Sequence, residues 1–311
     1  MISCTEFIPA YSELFTFLDR KYGREEVNRL WDFLFAPTGK GIPLINFARK
    51  NGIQGCVDYW TGTLTEEAAD VTFIYTIRDG WFYSESHHCP SKGRLLELKE
   101  TLGLEPYPHY CEHCDYYRLA LQEVGLTWIR NHVNVDEARC CRVLYDPKVF
   151  DGVMQKNENT VIKHFHSKGV EYFHPDFHSS MNMGIEYVGK THGEDDVRAY
   201  LKTYAEDVYK PVFEAAKTDP LGAIEKKIRE TYKLEHAEDA LTIENDGKTL
   251  SVKIAYCPAV KHLHKTGREV SKWFPLSTEV VMQTLAEKTG LQFTMESYDE
   301  ATGAAAYSFK K

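Results

Sequence analysis

Apolar residues recur at helical spacing through Phe7, Tyr11, Leu14, Phe15 and Leu18, and the pattern breaks at Gly23, as in an amphipathic helix closed by a glycine. A second helix is predicted over 25–35, stopped by Pro37 and Gly39, and a third over 43–59, interrupted by Gly52 and Gly55. The period then changes to two. Segments 71–77 and 81–88 alternate around Arg78-Asp79-Gly80, and Asp-Gly between alternating runs predicts a β-hairpin. Pro90 opens a short helix to 101, another covers 110–124, and strands at 127–133 and 138–145 complete the pattern.

The same order then returns. Gly23 and Val27 reappear as Gly193 and Val197, Cys89-Pro90 as Cys257-Pro258, and Gly125-Leu126 as Gly290-Leu291, at spacings of 170, 168 and 165 residues. A slowly shrinking spacing is what a few small deletions inside a duplicated unit produce. Helices are predicted at 177–190, 194–217, 222–233, 259–271 and 276–288, with strands at 240–244, 249–256, 292–297 and 304–309; Asn245-Asp246-Gly247 supplies the matching turn. The predicted fold class is α+β. It has two pseudo-symmetric modules, each with three N-terminal helices and a four-stranded antiparallel sheet with two helices between its hairpins. The expected boundaries are a first module at 1–150, a linker at 151–173 and a second, degenerate module at 174–311.

Composition narrows the function. The net charge is −9, without the basic footprint of a nucleic-acid-binding surface. No basic amphipathic helix, apolar span or leader-type start is evident, so neither nucleic acid nor membrane is expected as a partner and a cytoplasmic protein with a small-molecule ligand is. Seven of the eight cysteines precede residue 150. That asymmetry suits metal binding or thiol chemistry better than a disulfide framework.

The two copies differ where chemistry can sit. Cys89-Pro90 survives as Cys257-Pro258, a Cys at the end of a strand before a Pro in the first helical turn. Around Cys89, however, His87 and His88 replace Ala255 and Tyr256, and His109, Cys111, His113 and Cys114 stand where the second copy has the stretch from Trp273 to Glu279. Cys140-Cys141 falls near Gly303 to Ala306. On a helix Cys111 and Cys114 share a face, and a first-turn thiol has a lowered pKa. On a strand only one of Cys140 and Cys141 can join the group. Cys89, Cys111, Cys114 and Cys140 are therefore candidate zinc ligands, and Cys111, His113, Cys89 and His88 candidate catalytic groups. His164, His166, His174 and His178 cluster in the linker and its entry to the second module, where HFH and HPDFH can lend a ligand across the module interface. Buried free thiols around an ordinary core are the competing account.

Cys89-Pro90, Cys111 or Cys114 with Asp115, Gly125, and Cys140 or Cys141 give the chain a pattern that resembles the L-2-amino-thiazoline-4-carboxylic acid hydrolase-like family, itself distantly similar to 4-vinyl reductase-type small-molecule-binding domains. The resemblance covers 5–145 loosely, and 177–309 with most cysteines lost. Where the family ends in a His-Cys-Asp type of sequence, this chain has Arg139-Cys140-Cys141. The resemblance implies a hydrolase acting on a C–N bond of a small cyclic or amide-like metabolite, through a Cys thiolate or a zinc-activated water. The alternative is a non-catalytic small-molecule or metal-binding module of sensor type, with a structural Cys/His zinc site.

Overall fold

The computed structural model describes residues 1–39, 41–166 and 168–311. It is mixed α+β, with two antiparallel sheets. The chain forms two compact units: a first of residues 18–174, and a second that combines 1–17 with 175–311. These boundaries differ from the sequence-based division. The segment at 151–173 belongs to the first unit and the N-terminal 17 residues to the second. Helix α1, Phe7–Tyr22, therefore contributes most of its length to the second unit.

In the first unit, α2 (Arg24–Phe35) and α3 (Ile42–Glu66) precede the hairpin of β1 (Asp70–Thr76) and β2 (Trp81–His88). The interruption expected in α3 is a kink at Asn51 and Gly52. Next come α4 (Pro90–Leu102), a 3₁₀ turn at Tyr110–Tyr116 and the short α5 (Tyr117–Gln122). Strands β3 (Thr127–Asn134) and β4 (Arg139–Tyr145) follow. The expected linker supplies β5, Val161–Phe165, antiparallel to β1, so this sheet has five strands in the order β3-β4-β2-β1-β5 rather than four. Phe73, Phe82 and Leu144 lie at most 1% exposed beneath α3 and α5 in one apolar cluster.

In the second unit, α6 (Phe177–His192), α7 (Glu194–Val208), α8 (Lys210–Ala216) and α9 (Pro220–Leu234) lead to β6 (Leu241–Asn245) and β7 (Thr249–Ile254). The single helix expected over 194–217 breaks at Tyr209, ahead of Pro211, because proline cannot donate inside a helix. Helices α10 (Pro258–Lys265) and α11 (Leu276–Thr289) precede β8 (Gln292–Tyr298) and β9 (Ala305–Lys310). The sheet order is β6-β7-β9-β8. Residues of α1 complete this unit: Phe7 stacks on Phe177 at 4.5 Å, Tyr200 Oη donates to the Ala10 carbonyl at 2.8 Å, and Leu14 sits so close to Gly184 that a Cβ there would meet it at 2.8 Å.

Strand registers in the two sheets run in step. Ser86 faces Cys140 where Ile254 faces Ala305, Ser84 faces Arg142 where Val252 faces Tyr307, and Phe82 faces Leu144 where Leu250 faces Phe309. The sheet irregularity between Arg130 and His132 recurs between Met295 and Ser297. No helix among the described residues is long and apolar enough to cross a membrane.

Candidate functional site

Three segments of the first unit enclose one recess. Cys89 caps α4 in extended backbone, with Pro90 as the first helical residue, and its N–H is held by the Ala138 carbonyl at 2.7 Å. The 3₁₀ turn carries Cys111, His113 and Cys114. Three residues per turn put Cys111 and Cys114 on one edge. Arg130 clamps this turn, donating from Nη1 to the Cys111 carbonyl at 2.8 Å and from Nη2 to Asp115 at 2.7 Å. Strand β4 supplies Cys140 and Arg142, which share a face because they are two residues apart.

The four sulfurs expected to converge, those of Cys89, Cys111, Cys114 and Cys140, all line this recess, together with His113, Lys92 and Arg142. Cys141 is not part of it and accepts a hydrogen bond from Tyr83 Oη at 3.1 Å. His88, a candidate base, is also absent from the lining; its ring fills the space where a side chain on Gly93 would sit. None of the linker histidines lines it. His164 contacts Thr72 Oγ1 at 2.9 Å, His174 pairs with Glu66, and His178 pairs with Glu235. The recess is small, with a cavity volume of about 30 Å³, room for an ion or a couple of waters.

The electrostatics correct the expected activation of Cys111. Its thiol is not lowered by a helix terminus. Burial pushes it up to about 11, and the Cys89 thiol up to about 12. The reason is structural: the segment is a 3₁₀ turn of seven residues rather than the start of a long α-helix, so little aligned dipole opposes desolvation. His113 is 8% exposed. Its Nδ1 faces the Tyr110 carbonyl, which leaves Nε2 toward Cys114 Sγ at 3.5 Å.

Two cations were missed by sequence reasoning. Arg142 Nε is buried with no hydrogen-bond partner, and Nη2 reaches only Cys114 Sγ, at 3.8 Å. Burial opposes its charge, but the sulfurs of Cys140, Cys114 and Cys89 outweigh that and hold its pKa above the ordinary value. Lys92 is 7% exposed. No aspartate or glutamate lines the recess among the described residues. A long basic side chain reads as solvated surface in a sequence, and only strand alternation from Cys140 to Arg142 pointed inward.

A second donor set lies in the second unit. Among the described residues, Cys4, His178 and Glu235 are the one group of three whose donor atoms lie within 4.8 Å of one another, so no three of the recess sulfurs are mutually that close. No protein-family model matches the chain, and no curated protein or solved structure is significantly similar to it.

Proposed function

We propose that the first unit is a metal-binding module that holds zinc through Cys89, Cys111, Cys114 and Cys140. The observation that carries this reading is charge. Four thiolates around a divalent ion leave two negative charges; of the four cations lining the recess, Arg130 and Arg139 are paired with Asp115 and with Glu85 and Glu137, and Arg142 and Lys92 are left to supply two positive charges where no described carboxylate lines it. A buried guanidinium without an anion costs several kcal/mol (roughly), so a metal–thiolate centre gives Arg142 Nε the negative surroundings it otherwise lacks. Tetrahedral zinc, with Zn–S distances of about 2.3 Å, would draw the sulfurs closer together than they stand in the recess.

This is the binding-module alternative to hydrolysis. A shell of four thiolates keeps no open position for water, and the space of about 30 Å³ between the lining side chains is of the size an ion needs. We read the two units as diverged copies of one ancestral module, supported by the matching registers of their sheets, with the second copy lacking the recess donors.

Metal analysis of the full chain, purified without added metal, tests the reading. The expected result is a zinc ion that Cys114→Ser releases, with thiols at Cys89, Cys111 and Cys140 titrating only after chelation. Zinc content indifferent to Cys114→Ser, with those thiols equally reactive before and after chelation, overturns it.

A further inference from the structure

The cluster of Cys4, His178 and Glu235 lies outside the recess and shares no residue with it. Its members are 1%, 2% and 5% exposed, and they come from three separate segments. Cys4 opens the 3₁₀ turn Cys4–Glu6, whose capping residue Ser3 accepts from the Thr5 N–H. His178 is in the first turn of α6, and Glu235 is the residue that ends α9. Glu235 Oε1 accepts the Cys4 N–H at 2.5 Å, and Oε2 lies 2.9 Å from His178 Nε2.

A buried ion pair between His178 and Glu235 explains two of the three groups. It does not explain why a thiol is brought to the same point with its donor atom inside the same 4.8 Å. A thiol, an imidazole and a carboxylate together are the donor set of borderline-soft zinc. A metal held by these three groups would also give the buried Glu235 carboxylate a positive partner.

The triad supplies three of the four ligands of a tetrahedral zinc, and the fourth position would fall to water. His262 stands with its ring 6.3 Å from that of His178 and its Nε2 3.4 Å from Asp176, outside the triad. Nor is the set part of the repeated plan. At the spacing that relates Phe7 to Phe177, His178 corresponds to Ile8.

We propose that Cys4, His178 and Glu235 bind a second zinc ion, which fastens residues 1–17 to α6 and the end of α9. The two proposals separate in one experiment on the full chain, zinc counted per polypeptide after purification without added metal. The expected result is two ions in the parent chain. Cys4→Ser and His178→Gln each lower the count by one, and the double variant also loses only one, because both ligate the same ion. Cys114→Ser removes the other. Glutamine at 178 keeps an N–H donor toward Glu235, so the hydrogen bond can persist in that variant while the metal ligand is lost. A count unchanged by Cys4→Ser and His178→Gln but lowered by Cys114→Ser overturns this proposal and leaves the recess reading standing; the opposite pattern does the reverse. Cobalt exchange into the unmutated chain is a check independent of folding in the variants. A weak sulfur-to-cobalt charge-transfer component from a single-thiolate site, beside the strong band of a four-thiolate one, supports the proposal, and the strong band alone sinks it.

Discussion

The Cys-Pro junction occurs in both units with the same backbone and opposite surroundings. In each, the cysteine ends an extended stretch, proline opens the next helix, and the cysteine N–H is tied to the turn before the strand that pairs with its own, to Ala138 before β4 in one and Thr302 before β9 in the other. Around Cys89 the sheet presents Ser84, Ser86, Cys140 and Arg142; at the matching register the second sheet presents Val252, Ile254, Ala305 and Tyr307. Cys257 is 4% exposed against Met1 and Gly303, and a Cβ on Gly303 would lie 2.3 Å from its own. The second sheet faces its junction with aliphatic and aromatic side chains, beside the buried Met1 amino group, and the first with thiols, hydroxyls and a guanidinium. If the first unit binds zinc as proposed, the polar filling serves that ion, whereas the second junction keeps the same backbone without it.

The largest expected effect tests the apolar side. Tyr307 is 2% exposed, and Tyr307→Ala should cost about 3–5 kcal/mol, as other large aromatic truncations do, read from urea denaturation. A cost below about 1 kcal/mol would mean that the second junction is not packed as described.

Arg142→Met sharpens the polar side and has the opposite sign. In chelator-treated protein it should be neutral or stabilising by up to roughly 3 kcal/mol, because it removes a buried charge that lacks a carboxylate. Zinc affinity should fall about 10–100-fold, as when groups surrounding a metal's ligands are changed. Marked destabilisation of the metal-free protein would show that Arg142 serves the fold.

Next in size is the turn before the last strand. Ala138 sits at φ 53° and Gly303 at φ 67°, a left-handed conformation that costs a residue with a Cβ about 1–2 kcal/mol. Ala138→Gly should therefore raise the midpoint of unfolding, and Gly303→Ala should lower it by more than the backbone term alone, since its Cβ would strike Cys257. Equal and small shifts from both would remove the contrast between the turns.

The smallest effect belongs to Cys141→Ala. The side chain lies outside the recess and accepts one hydrogen bond from Tyr83, so about 1 kcal/mol or less is expected, with zinc content unchanged. Loss of zinc in this variant would mean that Cys140 and Cys141 have been placed the wrong way round.

Much of this contrast was legible in the sequence because it rests on local signals. Asp79-Gly80 fixes a hairpin, Pro90 a helix start, and strand alternation forces Cys140 and Cys141 to opposite faces. What escaped depends on distance along the chain. Strand β5 reads as a polar linker because its partner β1 lies about 90 residues earlier: His164 stands opposite Thr72. The convergence of Cys4, His178 and Glu235 leaves no local trace, since Glu235 sits among ordinary helix-end residues. The state of Cys111 escaped for another reason. Pro106 and Pro108 announce a helix start but do not distinguish a 3₁₀ turn from an α-helix, and in the second unit the matching element is the continuous α11.

The placement of residues 1–17 in the second unit sets an order on biosynthesis. Phe7, Ile8, Tyr11, Leu14 and Phe15 are buried in a unit otherwise built from 175–311, with Phe7 against Phe177 and Leu14 against Gly184, yet the whole of 18–174 is translated in between, on the order of 10 to 30 s at typical elongation rates. The continuous unit can reach its fold during that interval, whereas the leading apolar segment has to wait, uncovered, until α6 and α7 emerge. A nascent chain stalled before residue 175 should present that segment to chaperones, and release should coincide with synthesis of α7, whose Tyr200 closes on the Ala10 carbonyl.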